Sequence, residues 1–282
     1  MPQSSQFNRF HLDVLKRIAE KFEAGDEEPA SRSGQWLANH LDHDALKHLP
    51  GLRSHVEKPD RAKLFDLVAD QKNDTAILCA VILAWGGMRT DHARKLFGKH
   101  NKWCQAAEDI RARKLHRKVA YARFQELRRQ GATPGLGIAY FTKLIFFLGG
   151  NATKKPGYIL DQWTGCSVNL LTGDPTTVLL DTTFVWTSPT ERRSGFFVSD
   201  VNDPDRYERY CLTIESLAAE LSLTAVETEL LLMSQGNGRG EWRDHVIRHR
   251  RMPDLIAVPP RSATKLGNSS SSGQSRQRAR SA

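Results

Sequence analysis

Apolar side chains recur every three or four positions along most of the chain, a spacing that gathers them on one face of an α-helix. The pattern predicts an all-α protein. Capping residues mark helix starts, as where Asp203 precedes Pro204 and where Thr224 stands three residues before Glu227. Helices are predicted over residues 7–22, 59–68, 75–85, 91–97 with Thr90 as the N-cap, 101–129, 138–148, 161–171 and 205–221, and again from residue 225.

Two of these segments are unusually apolar. Residues 75–85 read TAILCAVILAW, follow the capping oxygens of Asn73 and Asp74, and carry apolar side chains on every side of the helix. A helix of that kind belongs in the middle of a domain. Residues 138–148 read IAYFTKLIFFL and contain a single cation, Lys143.

The remaining segments show little helical period. Residues 178–186 are predicted to be a short extended stretch, and Arg192 to Gly195 a loop. From Pro253 onwards, prolines, serines and arginines without apolar periodicity indicate a disordered basic tail. The predicted organisation is one helical domain over residues 1–252, with its core over 73–181, followed by a tail over residues 253–282.

The sequence TPGLG at residues 133–137 predicts a tight hairpin between two helices. Gly135 and Gly137 allow the backbone to turn and leave its N–H groups uncovered at a helix start, where the helix dipole favours anions. Lys143 follows on the next helix, and Asp161 opens the helix after that. A lysine and a carboxylate beside a phosphate-binding hairpin suggest chemistry on nucleic acid.

The charge of the chain supports a polyanionic partner. The net charge is +9 at pH 7 and the isoelectric point is about 9.5. Residues 89–129 alone hold thirteen Lys and Arg against four Asp and Glu. Such a surface can neutralise phosphates and release their counterions. The alternative, a solvated face of basic helices, stays open.

The cysteines are far apart in the sequence and indicate a reducing compartment. Cys79 and Cys166 stand in apolar helical contexts, so buried free thiols are expected in place of disulfides. No pair has the spacing of a zinc or iron–sulfur ligand set. The four cysteines are Cys79, Cys104, Cys166 and Cys211.

Neither a metal site nor a membrane segment is predicted. The histidines at 40, 43, 48 and 55 alternate with Leu, Asp and Lys, a context typical of scattered surface histidines. The N-terminus has no apolar core of a targeting signal, and the longest apolar runs fall short of the ~20 residues of a membrane span. We expect a soluble, cytoplasmic protein.

The hairpin glycines, Lys143 and Asp161 together resemble the helix-hairpin-helix DNA glycosylase superfamily, in particular its 8-oxoguanine glycosylase branch. The resemblance covers roughly residues 73–181. In much of that family the lysine stands two residues after the second glycine, where this chain has Ala139; Lys143 lies one turn further on the same helix face. The resemblance implies two closely packed helical subdomains with the active site between them.

The resemblance also implies roles for particular residues. The DNA backbone would be bound by Thr133, Gly135, Leu136 and Gly137. Asp161 would stabilise positive charge on the sugar, and Lys143, if desolvated, would be a neutral amine able to attack the anomeric carbon. Candidates for the base pocket or for a wedge between bases are Trp85, Gly86, Gly87, Met88, Gln162 and Trp163.

Each role has a structural alternative. Asp161 is also a common type of N-cap, Lys143 could reach solvent along the helix, and Trp85 could close the core where the chain turns. Asp174 and Asp181 are rival carboxylates, less attractive because no hairpin lies beside them. These alternatives stay open at the level of the sequence.

The predicted function is a DNA glycosylase that excises a damaged or modified base, with or without lyase activity. An oxidised purine such as 8-oxoguanine, for repair, and a hypermodified phage-type base, for anti-phage defence, both fit. The expected partner is double-stranded DNA, bound by a monomer. No cofactor is expected, since the four-cysteine cluster of some relatives is absent; a monovalent cation at the hairpin stays open. The alternatives are a non-catalytic helix-hairpin-helix DNA-binding protein and a helical protein-interaction domain.

Overall fold

Most helices begin where the sequence supplies a capping side chain, as a computed structural model of the chain shows. Asp60 Oδ1 accepts from the backbone N–H of Lys63 at 2.7 Å. Asp74 caps the next helix in the same way. These carboxylates satisfy N–H groups that have no partner inside the first turn of a helix.

The structure describes residues 6–22, 59–98, 100–150, 155–186, 192–233 and 240–250. The histidines at 40, 43, 48 and 55 and the predicted tail over 253–282 lie outside these ranges. Within them the predicted all-α class is confirmed. The helices are α1 (Arg9–Ala19), α2 (Arg61–Ala69), α3 (Thr75–Trp85), α4 (Thr90–Phe97), α5 (His100–Arg111), α6 (Arg117–Arg129), α7 (Ile138–Gly149), α8 (Gln162–Thr172), α9 (Pro204–Leu221), α10 (Ala225–Met233) and α11 (Glu241–His249), and the strands are β1 (Leu180–Trp186) and β2 (Arg192–Val198).

The first group of helices packs around α7. Helices α2, α3, α5 and α6 all contact α7, and α3 also contacts α2 and α5. Residues 77–84 of α3 are buried without interruption, as the all-round apolar pattern predicted. Burial of this much apolar surface is the main stabilising contribution to the fold.

The second group joins the two ends of the described chain. Helix α8 contacts α1, α9, α10 and α11, and α1 also contacts α11. Helix α9 packs against α6 and links the second group to the first. Helix α7 belongs to the first group and α8 to the second, so the segment between these two helices connects the groups.

The strands form one antiparallel hairpin beside α8. The predicted extended stretch over 178–186 is confirmed over residues 180–186, which form β1, but the predicted loop from Arg192 to Gly195 is wrong. Those residues lie in β2, where Thr183 pairs with Gly195 and Leu180 with Val198. The neighbouring strand supplies the hydrogen-bond partners that stabilise this sequence, which has little strand pattern of its own.

Two cap predictions have different outcomes. Thr224 and Glu227 form the predicted capping box, with Glu227 Oε2 accepting from the backbone N–H of Thr224 at 2.8 Å and Thr224 Oγ1 from that of Glu227 at 3.2 Å. Thr90, predicted as an N-cap, is the first residue of α4, and Arg89 holds the N-cap position without a capping hydrogen bond from its side chain. No helix in the described ranges is both long and apolar enough to cross a membrane.

Candidate active site

The predicted hairpin joins α6 to α7, and its first glycine is required by both conformation and space. Gly135 has φ +79°, a left-handed conformation that favours glycine. A methyl group there would lie 2.7 Å from Cβ of His92, on α4. The hairpin therefore packs directly against α4.

The other hairpin residues differ in burial and in hydrogen bonding. Leu136 is fully buried, and its carbonyl accepts from Arg128 Nη1 at 2.5 Å. Thr133 is also buried, and its Oγ1 has no hydrogen-bond partner in the described part of the chain. Gly137 is the N-cap of α7 and offers no side chain to cover the N–H groups of the first turn. The backbone at this helix start is thus available to an anion.

Lys143 lies inside the protein on α7, with 6% of its surface exposed. Its Nζ donates to the carbonyl of Ala139 at 3.1 Å and lies 5.7 Å from the ring centre of Tyr140. Burial lowers the pKa of Lys143 below its ordinary value, although the charges of Asp161 and Glu229 act in the opposite direction. The alternative that this lysine reaches solvent does not hold in this structure.

The turn between α3 and α4 covers the lysine. A methyl group at Gly86 would lie 2.6 Å from Cδ and 3.0 Å from Cε of Lys143, so a larger residue would displace the side chain. Gly87 is exposed with φ +71°, and its carbonyl accepts from the Tyr140 hydroxyl at 3.3 Å. Of the four predicted residues in this turn, Gly86 has the closest relation to Lys143.

The other two residues of this turn belong to the core. Trp85 packs edge-to-face against Phe147, with ring centres 5.0 Å apart, and the guanidinium of Arg61 lies 5.6 Å from its ring centre. Met88 is buried, with 1% of its surface exposed. The alternative that Trp85 closes the core thus agrees with its contacts, and Met88 has no exposed side chain to insert between bases.

Asp161 is the N-cap of α8 and is half-buried. Its Oδ1 accepts from the backbone N–H groups of Trp163 at 2.7 Å and Thr164 at 3.0 Å. No hydrogen bond to its Oδ2 is found among the described residues. The capping role and a chemical role are therefore compatible: one oxygen fixes the carboxylate, and the other is left for a ligand.

Gln162 and Trp163, the predicted pocket residues, are fixed by their neighbours. In the amide orientation that satisfies both partners, Gln162 accepts from Trp163 Nε1 at 3.1 Å and donates to the carbonyl of Phe196 on β2. The guanidinium carbon of Arg243 lies 3.9 Å from the Trp163 ring centre, and that of Arg250 lies 5.4 Å from it. The guanidinium groups of two arginines thus lie beside the Trp163 ring.

Sequence patterns did not indicate several residues of this site. Tyr140 could have been found, because it stands three residues before Lys143 and so shares its helix face. Arg243 and Arg250 could not, since no local pattern shows which residues of α11 and of its C-cap face α8. Arg61 and Glu229 form an ion pair buried between α2 and α10, and their charges act on the pKa of Lys143 in opposite directions.

The rival carboxylates lie in different settings. Asp174 is exposed, and its Oδ1 accepts from the backbone N–H and the hydroxyl of Thr176, both at 2.8 Å. Hydrogen bonds within this turn lower the pKa of Asp174. Asp181 is exposed on β1. Neither is among the charges that act on the pKa of Lys143.

The basic segment is partly committed to the fold. Arg111 donates to three backbone carbonyls and one hydroxyl, and Arg117 is held by two carboxylates. The exposed cations of this segment without a partner in the described ranges are Arg94, Lys95, Arg113 and Arg123. The surface available to a polyanion is therefore smaller than the count of charges implies.

The described residues include no group of three or more potential metal ligands in a suitable arrangement. All four cysteines are buried free thiols, as predicted. Burial raises the pKa of Cys166, near Asp161, to about 11, so this thiol is protonated at neutral pH. A surface cavity of about 630 Å³ lies elsewhere, beside Arg117, and neither Lys143 nor Asp161 lines it.

Comparison with known proteins gives a family match. The model of a family described as "OGG: Putative 8-oxoguanine DNA glycosylase OGG-like protein" matches residues 24–233, about three quarters of the chain. The matched range extends beyond residues 73–181 on both sides and includes the hairpin, Lys143 and Asp161. No curated protein and no solved structure matches the chain.

Proposed function

The chain belongs to the 8-oxoguanine DNA glycosylase OGG-like family, and from this premise we propose that it turns a modified base out of double-stranded DNA and cleaves its N-glycosidic bond. The proposed substrate is an oxidised purine such as 8-oxoguanine or a hypermodified phage-type base, which correspond to roles in repair and in anti-phage defence. The observation that carries the proposal is that a buried lysine on α7 has a lowered pKa and lies close enough to the half-buried carboxylate of Asp161 for that charge to act on it.

In the proposed reaction, Lys143 is the nucleophile. Its lowered pKa increases the fraction of neutral amine at a given pH. The amine lone pair forms a bond to C1′ while the bond from C1′ to the base breaks; the base leaves with that electron pair and takes up a proton. Loss of the amine proton and opening of the C1′–O4′ bond then give a Schiff base, from which β-elimination can cleave the strand.

Asp161 is proposed to stabilise the positive charge that builds on the sugar as the base leaves. The charge of Asp161 acts on both Lys143 and Arg243, which supports its position between α7 and α11. Preorganised charges of this kind are commonly the largest contribution to catalysis in a site that excludes water. The capping bonds of Oδ1 support this role, because they hold the carboxylate in place before substrate binds.

The DNA backbone is proposed to lie against the hairpin over residues 133–137 and the start of α7. Its uncapped N–H groups can bind a phosphate without regard to sequence. Exposed Arg94 and Lys95, on the helix that packs against Gly135, would add sequence-independent affinity. These contacts would offset the cost, a few kcal/mol, of turning a nucleotide out of the stack.

The test is borohydride trapping on duplexes that carry oxidised, alkylated, deaminated or bulky modified bases. We expect wild-type protein to form a covalent adduct with at least one duplex and Lys143→Gln to form none. Lys155→Gln, at an exposed lysine beside the cavity, is the matched control and should trap like wild type. Asp161→Asn should lose base release while it keeps its affinity for duplex DNA.

Two other outcomes would redirect the proposal. Alkali-labile abasic sites without an adduct would mean a monofunctional glycosylase in which Asp161 directs water and Lys143 contacts DNA. Salt-dependent DNA binding without base release from any duplex would support the non-catalytic helix-hairpin-helix protein and overturn the enzyme.

A further inference from the structure

Two arginine guanidinium groups present hydrogen-bond donors on one side of the candidate site. Arg243 is the first of them. This arginine is half-buried, lies 3.9 Å from the ring centre of Trp163, and donates from Nη2 to the carbonyl of Met233 at 3.0 Å. Its Nε is buried and has no hydrogen-bond partner in the described ranges. A buried donor without an acceptor is unfavourable, so a ligand that supplies one would be bound more tightly.

Arg250 is the second arginine on this side of the site. The guanidinium carbon of Arg250 lies 4.6 Å from the ring centre of Phe196 and 5.4 Å from that of Trp163. A guanidinium has five N–H donors and no acceptor. A base bound here would therefore have guanidinium donors on one side and the carboxylate of Asp161 on the other.

We propose that Arg243 is a specificity-determining residue that donates to an exocyclic carbonyl oxygen of the extruded base, so that oxo-bases are preferred over their amino analogues. This inference rests on the proposed function. An amino group at the same position would direct its own N–H towards the guanidinium and leave the buried Nε–H unpaired. A side chain matched to one base edge commonly discriminates by about 1–3 kcal/mol, which corresponds to roughly 5- to 150-fold.

A phosphate oxygen could satisfy the same donor. The position of Arg243 favours the base, because its guanidinium stacks on a side chain two residues from Asp161, whereas the backbone-binding hairpin lies at the start of α7. The two sources make different predictions. A base contact changes the ratio between substrates, and a phosphate contact weakens the binding of every duplex equally.

The experiment compares duplexes with 8-oxohypoxanthine and 8-oxoadenine opposite cytosine. These bases carry a carbonyl or an amino group at position 6 and are otherwise closely matched. We expect wild type to excise 8-oxohypoxanthine with a kcat/KM at least tenfold higher. Arg243→Met should bring the ratio close to one, and Arg243→Lys should reduce it in part.

Arg248→Met is the matched control, because Arg248 is an exposed arginine on the same helix that donates to its own Asp244 carbonyl. It should keep the wild-type ratio. Affinity for a duplex with a tetrahydrofuran abasic analogue should fall equally in Arg243→Met and Arg248→Met. A larger loss in Arg243→Met, with a weaker salt dependence, would assign the contact to phosphate and overturn the inference.

The failures of the inference and of the proposed function are distinguishable. Equal excision of the two bases by wild type, or an unchanged ratio in Arg243→Met, overturns the inference alone. If wild type excises no base from these duplexes or from the trapping panel, both the proposed function and the inference are wrong.

Discussion

Lys143 and Arg117 are both cations in the interior of the protein, yet their surroundings differ in kind. Arg117, on α6, is 2% exposed and donates to Glu208 at 2.8 and 2.9 Å, to Glu215, and to the carbonyl of Pro156 at 2.9 Å. Lys143, on α7, is 6% exposed and donates to one backbone carbonyl. The two side chains are buried to a similar extent, but Arg117 has more hydrogen-bond partners than Lys143.

The difference appears in the pKa values. Burial alone would lower the pKa of Arg117, but its hydrogen bonds to Glu208 and Glu215 outweigh burial and raise it. Within the described ranges no carboxylate is hydrogen-bonded to Lys143, and its pKa is lowered. Arg117 therefore serves as a structural link between α6 and α9. Lys143 is kept in a state that is unfavourable for folding, and such sites are frequently functional.

The largest effect is expected for Lys143→Met. Borohydride trapping should disappear, and base release should fall by about a thousandfold if the amine is the nucleophile. The free energy of unfolding should stay the same or rise by about 1 kcal/mol, because an apolar side chain replaces a poorly paired buried cation. Equilibrium urea denaturation measures the stability. A clear loss of stability would contradict the comparison with Arg117.

The reverse pattern is expected for Arg117→Met. The change leaves Glu208 and Glu215 without their cation, and the free energy of unfolding should fall by about 3 kcal/mol. Excision by the folded protein should stay within a few fold of wild type. Adding Glu208→Gln and Glu215→Gln should recover part of the stability. If the triple variant is no more stable than Arg117→Met, the ion pairs do not act as described.

A smaller effect on activity is expected for Gly86→Ala. The new methyl group would lie 2.6 Å from Cδ of Lys143 and force the side chain to move. We expect kcat for base release to fall by about tenfold, since a misplaced reactive group costs of this order or more. Gly149→Ala, at the end of α7, is the matched control because no atom of the described residues lies within 4 Å of its added methyl. Equal effects of the two changes would remove Gly86 from the site.

The smallest effect is expected in the pH dependence of stability. It arises from histidines whose pKa values, like that of Lys143, are lowered. His11 Nδ1 and His245 Nε2 lie 2.9 Å apart and join α1 to α11. Burial and the charges of His249, His11, Arg248 and Arg17 lower the pKa of His245 from 6.5 to about 4. Between these values the unfolded chain binds more protons, so the free energy of unfolding should fall as the pH falls through this range, by about 1–2 kcal/mol.

The measurement is urea denaturation at pH 7 and at pH 4.5 for wild type and His245→Phe. The phenyl ring can keep the stacking on Trp242, where the ring centres are 5.3 Å apart, without binding a proton. Wild type should lose more stability than the variant. An equal loss would place the acid sensitivity in other groups.

The sequence by itself determined the helical architecture. The all-round apolar pattern of residues 75–85 predicted a central helix, and Asp74, Asp161 and Asp203 marked helix starts where the structure has N-caps. These features depend on contacts between residues close in the chain, which local patterns encode. The hairpin glycines, Lys143 and Asp161 stand out for the same reason, since each is marked by the residues next to it in the chain.

Only the tertiary structure decided how those residues are used. It buried Lys143 under Gly86, fixed Arg192 to Gly195 as a strand against β1, and brought Arg243 of α11 and Arg250 at its C-cap onto Trp163. Each arrangement depends on a partner distant in the sequence. Arg117 and Lys143 show the same limit, since nothing in their neighbouring residues reveals that carboxylates are hydrogen-bonded to Arg117 and, among the described residues, not to Lys143. Helix packing alone sets which side chains meet, and therefore which buried cation stabilises the fold and which is left for chemistry.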